Sequence, residues 1–403
     1  MGLGTAAVPY ALASRANAGT PAPAPRRGGT FTMAQTMGVT EFNPFFFTGH
    51  YSFKRALFNT LARYDSQLRL QPELAEKWEF SADGKQVTLK LRQGVKFHSG
   101  REFTSTDVKN SWEFAIGDKR TTMRVFFAAI KGVETPDKYT AILNFDTVNP
   151  GIFDILDGLY VIDKENIKEA SKVGAGTGPF KFDRYVPNDR VEMSVFKDYW
   201  DKGKPYLDKF VVRTIPDLSS MAINLETGTI DCAWQPNFVD LVRLKSLGGK
   251  YLVDMGAPGA AMWNLAYNVK AEPFTNKKVR QAITWSIDRV RFCRTVAQGL
   301  IEPTCLMWPT HSWAYFKDLE GSIGYDLDKA RLLLKEAGFA NGFDTDISVS
   351  AQRYPGSTAL ALILQNDLKK IGVNMKISDM EGAVYDSAVV AKGDMRMTVL
   401  AYA

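Results

Sequence analysis

A β-α-β pattern near the end of the chain constrains the fold more than any other feature. Residues 347–350 read as a strand, 358–371 as a helix with Gly372 as its stop, and 373–377 as a second strand. Along the helix, Leu360, Ile363, Leu364, Leu368 and Ile371 form one apolar stripe that must be buried. Strands joined through a helix run parallel, and a parallel sheet needs helices over its faces. Other helical stripes precede it. Val279, Ala282, Ile283 and Ile287 follow the cap Asn276, and Leu327, Ala330, Arg331 and Leu334 are closed by Gly338.

The first half has the opposite character. Phe31 and Met33 alternate with threonines. Val87, Leu89 and Leu91 alternate with polar residues after an Asp83-Gly84 turn. Tyr139, Ala141, Leu143 and Phe145 share one face, as do Val191, Met193 and Val195. Two helices interrupt these strands. Thr104 and Asp107 form a capping box ahead of Val108, Trp112 and Ala115, and Ser219 opens a shorter helix that Gly228 ends.

Composition excludes several classes. With 403 residues and 45% apolar content the chain can support two or three cores. Fifty basic against 44 acidic residues give +6, too mild an excess to require nucleic acid. His50, His98 and His311 have no metal-ligand spacing, so no metal site is expected. Cys232, Cys293 and Cys305 allow one pair at most, with a thiol left over. No G-x-S-x-G elbow accompanies the histidines, so no catalytic residues are assigned. The run Gly174-Ala175-Gly176-Thr177-Gly178-Pro179 has proline where a dinucleotide fingerprint needs its third glycine. It reads as a tight turn into a strand at 180–182. Paired carboxylates cannot be assigned among the 44 acids, which neither supports nor excludes a glycosidase.

Both ends are unusual. Residues 1–18 resemble the second half of an export signal, with Ala16-Asn17-Ala18 as cleavage site and a Pro/Ala linker to residue 27. No cysteine stands near that site to carry a lipid anchor, and no later run of about 18 apolar residues could span a bilayer. The mature chain is therefore expected to be soluble. Met395, Met397 and Val399 start a half-buried strand, yet the chain stops at Ala403, as an interrupted domain would.

Large aromatics beside amides cluster at strand ends and loops: Phe46 and Phe47 near Asn43-Pro44, Trp234-Gln235, Trp263-Asn264, and Tyr354 before Pro355-Gly356. Such residues suit the walls of an organic-ligand pocket, although single rings can equally fill a core.

Several segments together resemble the extracellular solute-binding proteins of ABC importers, family 5. They are Gly28-Gly29-Thr30-Phe31, Phe42-Asn43-Pro44, Leu74 to Glu79, and Leu91 through His98 to Gly100 with Thr106-Asp107-Val108. Gly176-Thr177-Gly178-Pro179-Phe180, Tyr199-Trp200, Gly228-Thr229-Ile230-Asp231, Tyr267-Asn268, Pro273-Phe274, Val279 to Ile283 and Ile287-Asp288-Arg289 continue it in order. The resemblance implies an α/β, periplasmic-binding-protein-like two-lobe fold, class II and of the large type with an extra subdomain, here C-terminally truncated. By it, residues 28–50 plus 176–262 make lobe I, 51–175 an inserted subdomain, and 263–403 an incomplete lobe II. Arg280 and Asp288, eight apart, are read on one helix that they brace, or as meeting the hinge.

The function so implied is capture of a peptide or similar small organic solute in the interlobe cleft by hinge closure, then delivery to a membrane permease driven by separate ATPase subunits. Pocket candidates are Phe46, Phe47, Trp234, Gln235, Trp263, Asn264 and Tyr354. The protein is expected to be a periplasmic or extracytoplasmic monomer, with no cofactor, no nucleic-acid partner and no enzymatic activity. Nickel, oligosaccharide or opine binding on the same fold, a sensor or chaperone-like role, and an enzyme that adopted the cleft are the competing readings.

Overall fold

A computed structural model describes residues 25–46, 52–65, 69–119, 121, 124–169, 175–253, 262–306 and 315–402. Three sheets of four or five strands organise them. The first runs in the order Cys232–Ala233, Thr30–Gln35, Lys209–Thr214, Arg190–Val195, Phe180–Val186. Thr30–Gln35 lies parallel to both of its neighbours, and the remaining pairs are antiparallel. Helix Leu218–Glu226 seats Met221 with Ala34 and Ile230 in a small core of its own.

The second sheet joins two hairpins antiparallel, with Ala75–Phe80, Gln86–Leu91, Thr140–Phe145 and Ile130–Asp137 in spatial order. Val87, Leu89 and Leu91 point inward as their alternation predicts, and Gly84 turns the hairpin at φ +68°. Helix Ser105–Gly117 buries Val108, Trp112 and Ala115, and the Asp107 carboxylate reaches back to the Thr104 N–H at 2.9 Å. Asp107 and Asp163 are both buried and share the Arg101 guanidinium. Burial alone would raise the Asp163 carboxyl. Hydrogen bonds from Ser99, Arg101 and Asn166 outweigh it and hold the group below the ordinary range.

The third sheet is built from the β-α-β unit. Its order is Met262–Tyr267, Met397–Tyr402, Phe343–Val349, Val373–Asp379. The last three strands are parallel, and helix Ser357–Lys369 makes the crossover. Strand Met397–Tyr402 is therefore paired on both sides. Helices Lys277–Trp285 and Leu327–Glu336 contribute Val279, Ala282, Ile283, Ala330 and Leu334 to the core of this lobe.

Some local expectations need correction. The short helix is capped by Asp217, whose carboxylate accepts from Ser220 N at 2.7 Å, so it starts ahead of Ser219. Arg331 is exposed and pairs with Asp328. Arg280 and Asp288 stand on different helices. The chain breaks after Trp285, and Asp288 caps helix Arg289–Thr295 by accepting from Arg291 N. Arg280 instead donates to the carbonyls of Phe274 and Thr275, closing the preceding loop.

The glycine run has a different cause from the one expected. Neither Gly176 nor Gly178 has a positive φ. A Cβ on Gly176 would lie 2.0 Å from Leu57 O, and one on Gly178 2.4 Å from Ala56 O. The glycines are needed because two main chains touch. Gly178 N–H donates to Leu57 O, His98 N–H donates to Gly176 O, and His98 Nε2 donates to Gly178 O at 3.0 Å. Beside them Asn59 Oδ1 accepts from Thr177 Oγ1 and Trp200 Nε1, and Asn59 Nδ2 donates to the buried Glu73 carboxylate. One hydrophobic core consequently runs from the four-stranded antiparallel sheet into the five-stranded sheet.

Gly178→Ala is expected to lower the unfolding free energy by about 1–3 kcal/mol, the range for overpacking a tight core. Urea denaturation of both proteins reads this directly, and an unchanged midpoint would show that the joint tolerates the methyl. Acid should also weaken the fold: a carboxyl held low in the native state contributes stability above its unfolded value near 4, lost as pH falls through the native one. Asp163→Asn is expected to flatten part of that acid limb in the same assay.

Candidate functional site

Crevices in open α/β sheets form outside the carboxyl ends of parallel strands. Here two such ends face each other. Just past Thr30–Gln35, the Thr36 hydroxyl donates to Gln352 O at 3.0 Å, and Gln352 lies just past Phe343–Val349. The Gln352 side-chain oxygen accepts from Gly382 N at 2.8 Å. A Cβ on Gly382 would sit 3.1 Å from Met37 Cε and 3.0 Å from Gln352 Oε1. The two lobes thus touch at Thr36, Met37, Gln352 and Gly382.

An aromatic wall stands beside this contact on the second lobe. Trp263 and Tyr354 meet edge to face with centroids 6.4 Å apart, and Tyr354 meets Tyr385 likewise at 6.0 Å. Tyr385 is fully buried, its hydroxyl 2.5 Å from Thr398 Oγ1, and burial pushes it up to about 12, so it stays neutral. Arg353 is nearly covered, with its guanidinium 5.0 Å from the Tyr354 ring and Nε 3.2 Å from Asp386 Oδ1. Burial raises the Asp386 carboxyl above its ordinary value, and the Arg353 charge only partly opposes that.

The first lobe answers with Trp234, Gln235 and Phe238. Trp234 N–H donates to Ala34 O, which fixes it at the end of the sheet with its side chain 44% exposed. Gln235 takes φ +52°, a left-handed conformation that costs a non-glycine residue about 1 kcal/mol or more. That turn leads to Asn237, which caps helix Phe238–Ser246. A Cβ on Gly356 would lie 3.4 Å from Phe238 and 3.9 Å from Trp263, so Phe238 closes against the wall from the other lobe.

Of the residues expected from sequence, Trp263 and Tyr354 are in one cluster, and Trp234 and Gln235 lie on the opposing edge. Asn264 follows Trp263 on a strand paired with the end of Met397–Tyr402. Phe46 is almost completely covered, and its carbonyl accepts from Lys54 Nζ at 2.6 Å. Phe47 lies outside the described residues, as do His50 and His311. Thr36, Met37, Phe238, Gln352, Arg353 and Gly382 were missed. Most of them directly follow a parallel strand, and that position is the signal by which they are found.

The family described as bacterial extracellular solute-binding proteins, family 5 Middle, matches residues 69–403. The dipeptide-binding protein of Escherichia coli K12 is 30% identical over 380 residues, 85% of this chain and 70% of the relative. Heme-binding protein A of Haemophilus influenzae is 30% identical over 373 residues, 84% of this chain and 67% of the relative. Among solved structures, the periplasmic binding protein DppA from Helicobacter pylori in complex with peptide STSA has a TM-score of 0.84 and 29% identity, covering 94% of this chain and 78% of that one. AgaA from A. tumefaciens R10, in complex with agropinic acid, has a TM-score of 0.83 and 27% identity, covering 93% of this chain and 77% of that one. The fold is the two-lobed one of these binders, and the chain belongs to family 5 of the bacterial extracellular solute-binding proteins.

Gly382→Leu should prop the lobes apart at Met37. Small-angle scattering is expected to show a larger radius of gyration for the variant at an unchanged melting temperature, whereas identical scattering curves would mean that this contact does not limit closure.

Proposed function

We propose that the chain captures a peptide, or a small organic solute resembling one, between its lobes and hands it to a membrane permease. The observation that carries this reading is the meeting of two strand-end edges at Thr36 and Gln352, with aromatic side chains on both sides. A solute held there touches both lobes only when they are closed, so binding and closure favour each other. Trp234, Gln235 and Phe238 supply one wall, and Trp263, Asn264 and Tyr354 the other, with the buried Tyr385 packed behind Tyr354. Phe46 and Phe47 are retained as candidates of lower rank.

Arg353, braced by Asp386, keeps the Tyr354 ring oriented. A peptide ligand is favoured by the relatives described as dipeptide-binding and as complexed with STSA. The agropinic acid complex makes an opine the second solute to test. No bond is made or broken in this role. It places the protein outside the cytoplasmic membrane, as a monomer beside an ABC permease and its ATPase subunits. Among the described residues no helix is long and apolar enough to cross a membrane.

The test is a thermal-shift and calorimetric panel of di- to tetrapeptides including STSA, agropinic acid, heme and a nickel–histidine complex. A true ligand at about 100 times its dissociation constant stabilises the protein by roughly 2.7 kcal/mol. Peptides are expected to give that shift, and joint replacement of Trp234, Trp263 and Tyr354 by alanine to weaken binding about tenfold or more, in line with loss of aromatic anchors. Unchanged affinity in the triple variant would remove these walls from the site. Turnover of a bound peptide would contradict the binding role itself.

A further inference from the structure

A hollow on the helices of the second lobe shares no residue with the contact at Thr36, Met37, Gln352 and Gly382. Lys277, Arg280, Gln281, Thr284 and Trp285 on one helix face Ile323, Lys329 and Leu333 across an open hollow of about 470 Å³. Its floor is the half-buried Trp285 ring, with Lys329 Nζ 3.6 Å from the ring centre. The backbone bond from Asp326 N–H to Trp285 O ties the Ile323 loop to that floor.

The hollow's charge is one-sided. Among the described residues no carboxylate pairs with Lys277, Arg280 or Lys329, and the lining holds no acid. The acids nearby are engaged elsewhere: Glu336 with Lys278, Asp328 with Arg331, and Asp326 as a cap on Lys329 N–H. Basic side chains elsewhere in this lobe do find acids, as Arg291 does at Asp367. Arg280 donates to the neutral carbonyls of Phe274 and Thr275, so its charge, like those of Lys277 and Lys329, is not neutralised by an acid among the described residues. A carboxylate-bearing, apolar occupant gains from all three and from the aromatic floor.

We propose that this hollow docks an acidic segment of a partner protein, one that sets carboxylates against Lys277, Arg280 and Lys329 and an apolar side chain on Trp285. The hollow is open and its charged heads are spread over two helices, which fits an extended segment better than an enclosed small anion. Closure of the cleft is not required for this contact.

The probe is a fluorescent peptide of alternating glutamate and leucine, capped at both ends, with a glutamine-for-glutamate control, read by anisotropy on the full chain. The acidic peptide is expected to bind at low salt and to weaken steeply as ionic strength rises toward roughly 0.5 M. The double substitution K277E/K329E, at two exposed positions, is expected to cut its affinity roughly tenfold or more, as loss of facing charges does. The melting temperature should fall only slightly, by no more than loss of the exposed Lys329–Trp285 contact explains, and cleft-ligand affinity should stay unchanged, which separates this test from that of the cleft. Equal binding of the control peptide, or affinity indifferent to K277E/K329E, overturns the proposal. Displacement of the acidic peptide by free glutamate at matched carboxylate concentration also overturns it, in favour of a small-anion site.

Discussion

The close approach of two main chains, Gly176–Gly178 against Ala56–Phe58, is the constraint on which the first lobe depends. At 2.0 and 2.4 Å from a carbonyl oxygen, no side-chain carbon fits at either glycine. The contact brings Thr177 into reach of Asn59, and Asn59 into reach of Glu73 and Trp200. His98, on the turn that ends its hairpin, closes the joint from the far side through Gly176 and Gly178. The side chains of Asn59, Thr177, Glu73, Trp200 and His98 all have partners there, so a buried network that would be costly if half satisfied instead favours a single arrangement. The four-stranded and five-stranded sheets share one core, and the strand Thr30–Gln35 is held where its end can meet the second lobe.

That shared core matters for the proposed capture. Relative movement of two lobes concentrates ligand contact at their facing edges only if each lobe moves as a unit. The second lobe meets the condition differently, through a sheet that is parallel except for Met262–Tyr267 and shares one core with helices Ser357–Lys369 and Lys277–Trp285. Among the described residues the edges meet through a hydroxyl-to-carbonyl bond at Thr36 and packing of Met37 and Phe238 against glycines. In the proposed capture, the ligand's contacts with both lobes add to these in favour of the closed state.

Much of the architecture was legible because burial imposes a period. The stripe from Leu360 to Ile371, the alternation in Val87–Leu91 and the Asn276 and Thr104 caps all appear where the pattern puts them. Reading failed where one local signal has two causes. Glycines at 176 and 178 suggested a turn, whereas the cause is a neighbour distant in sequence. The stripe from Val279 through Ile287 hid a helix break after Trp285, because Ile287 packs on the same core from the link between two helices. At the site, large aromatics were visible in the sequence, but the small and polar residues that bring the lobes together were not. Thr36, Gln352 and Gly382 look ordinary until strand order shows that each follows a sheet into the same crevice.

The central claim is that solute binding shifts the molecule toward a closed state. Pulsed electron-resonance distances test it most directly, with spin labels at Lys245 on the first lobe and Lys369 on the second, in a chain whose three cysteines are replaced. Without ligand a broad distribution including longer separations is expected, and saturating peptide should collapse it to one shorter distance. A distribution that peptide binding leaves unchanged would contradict capture by closure.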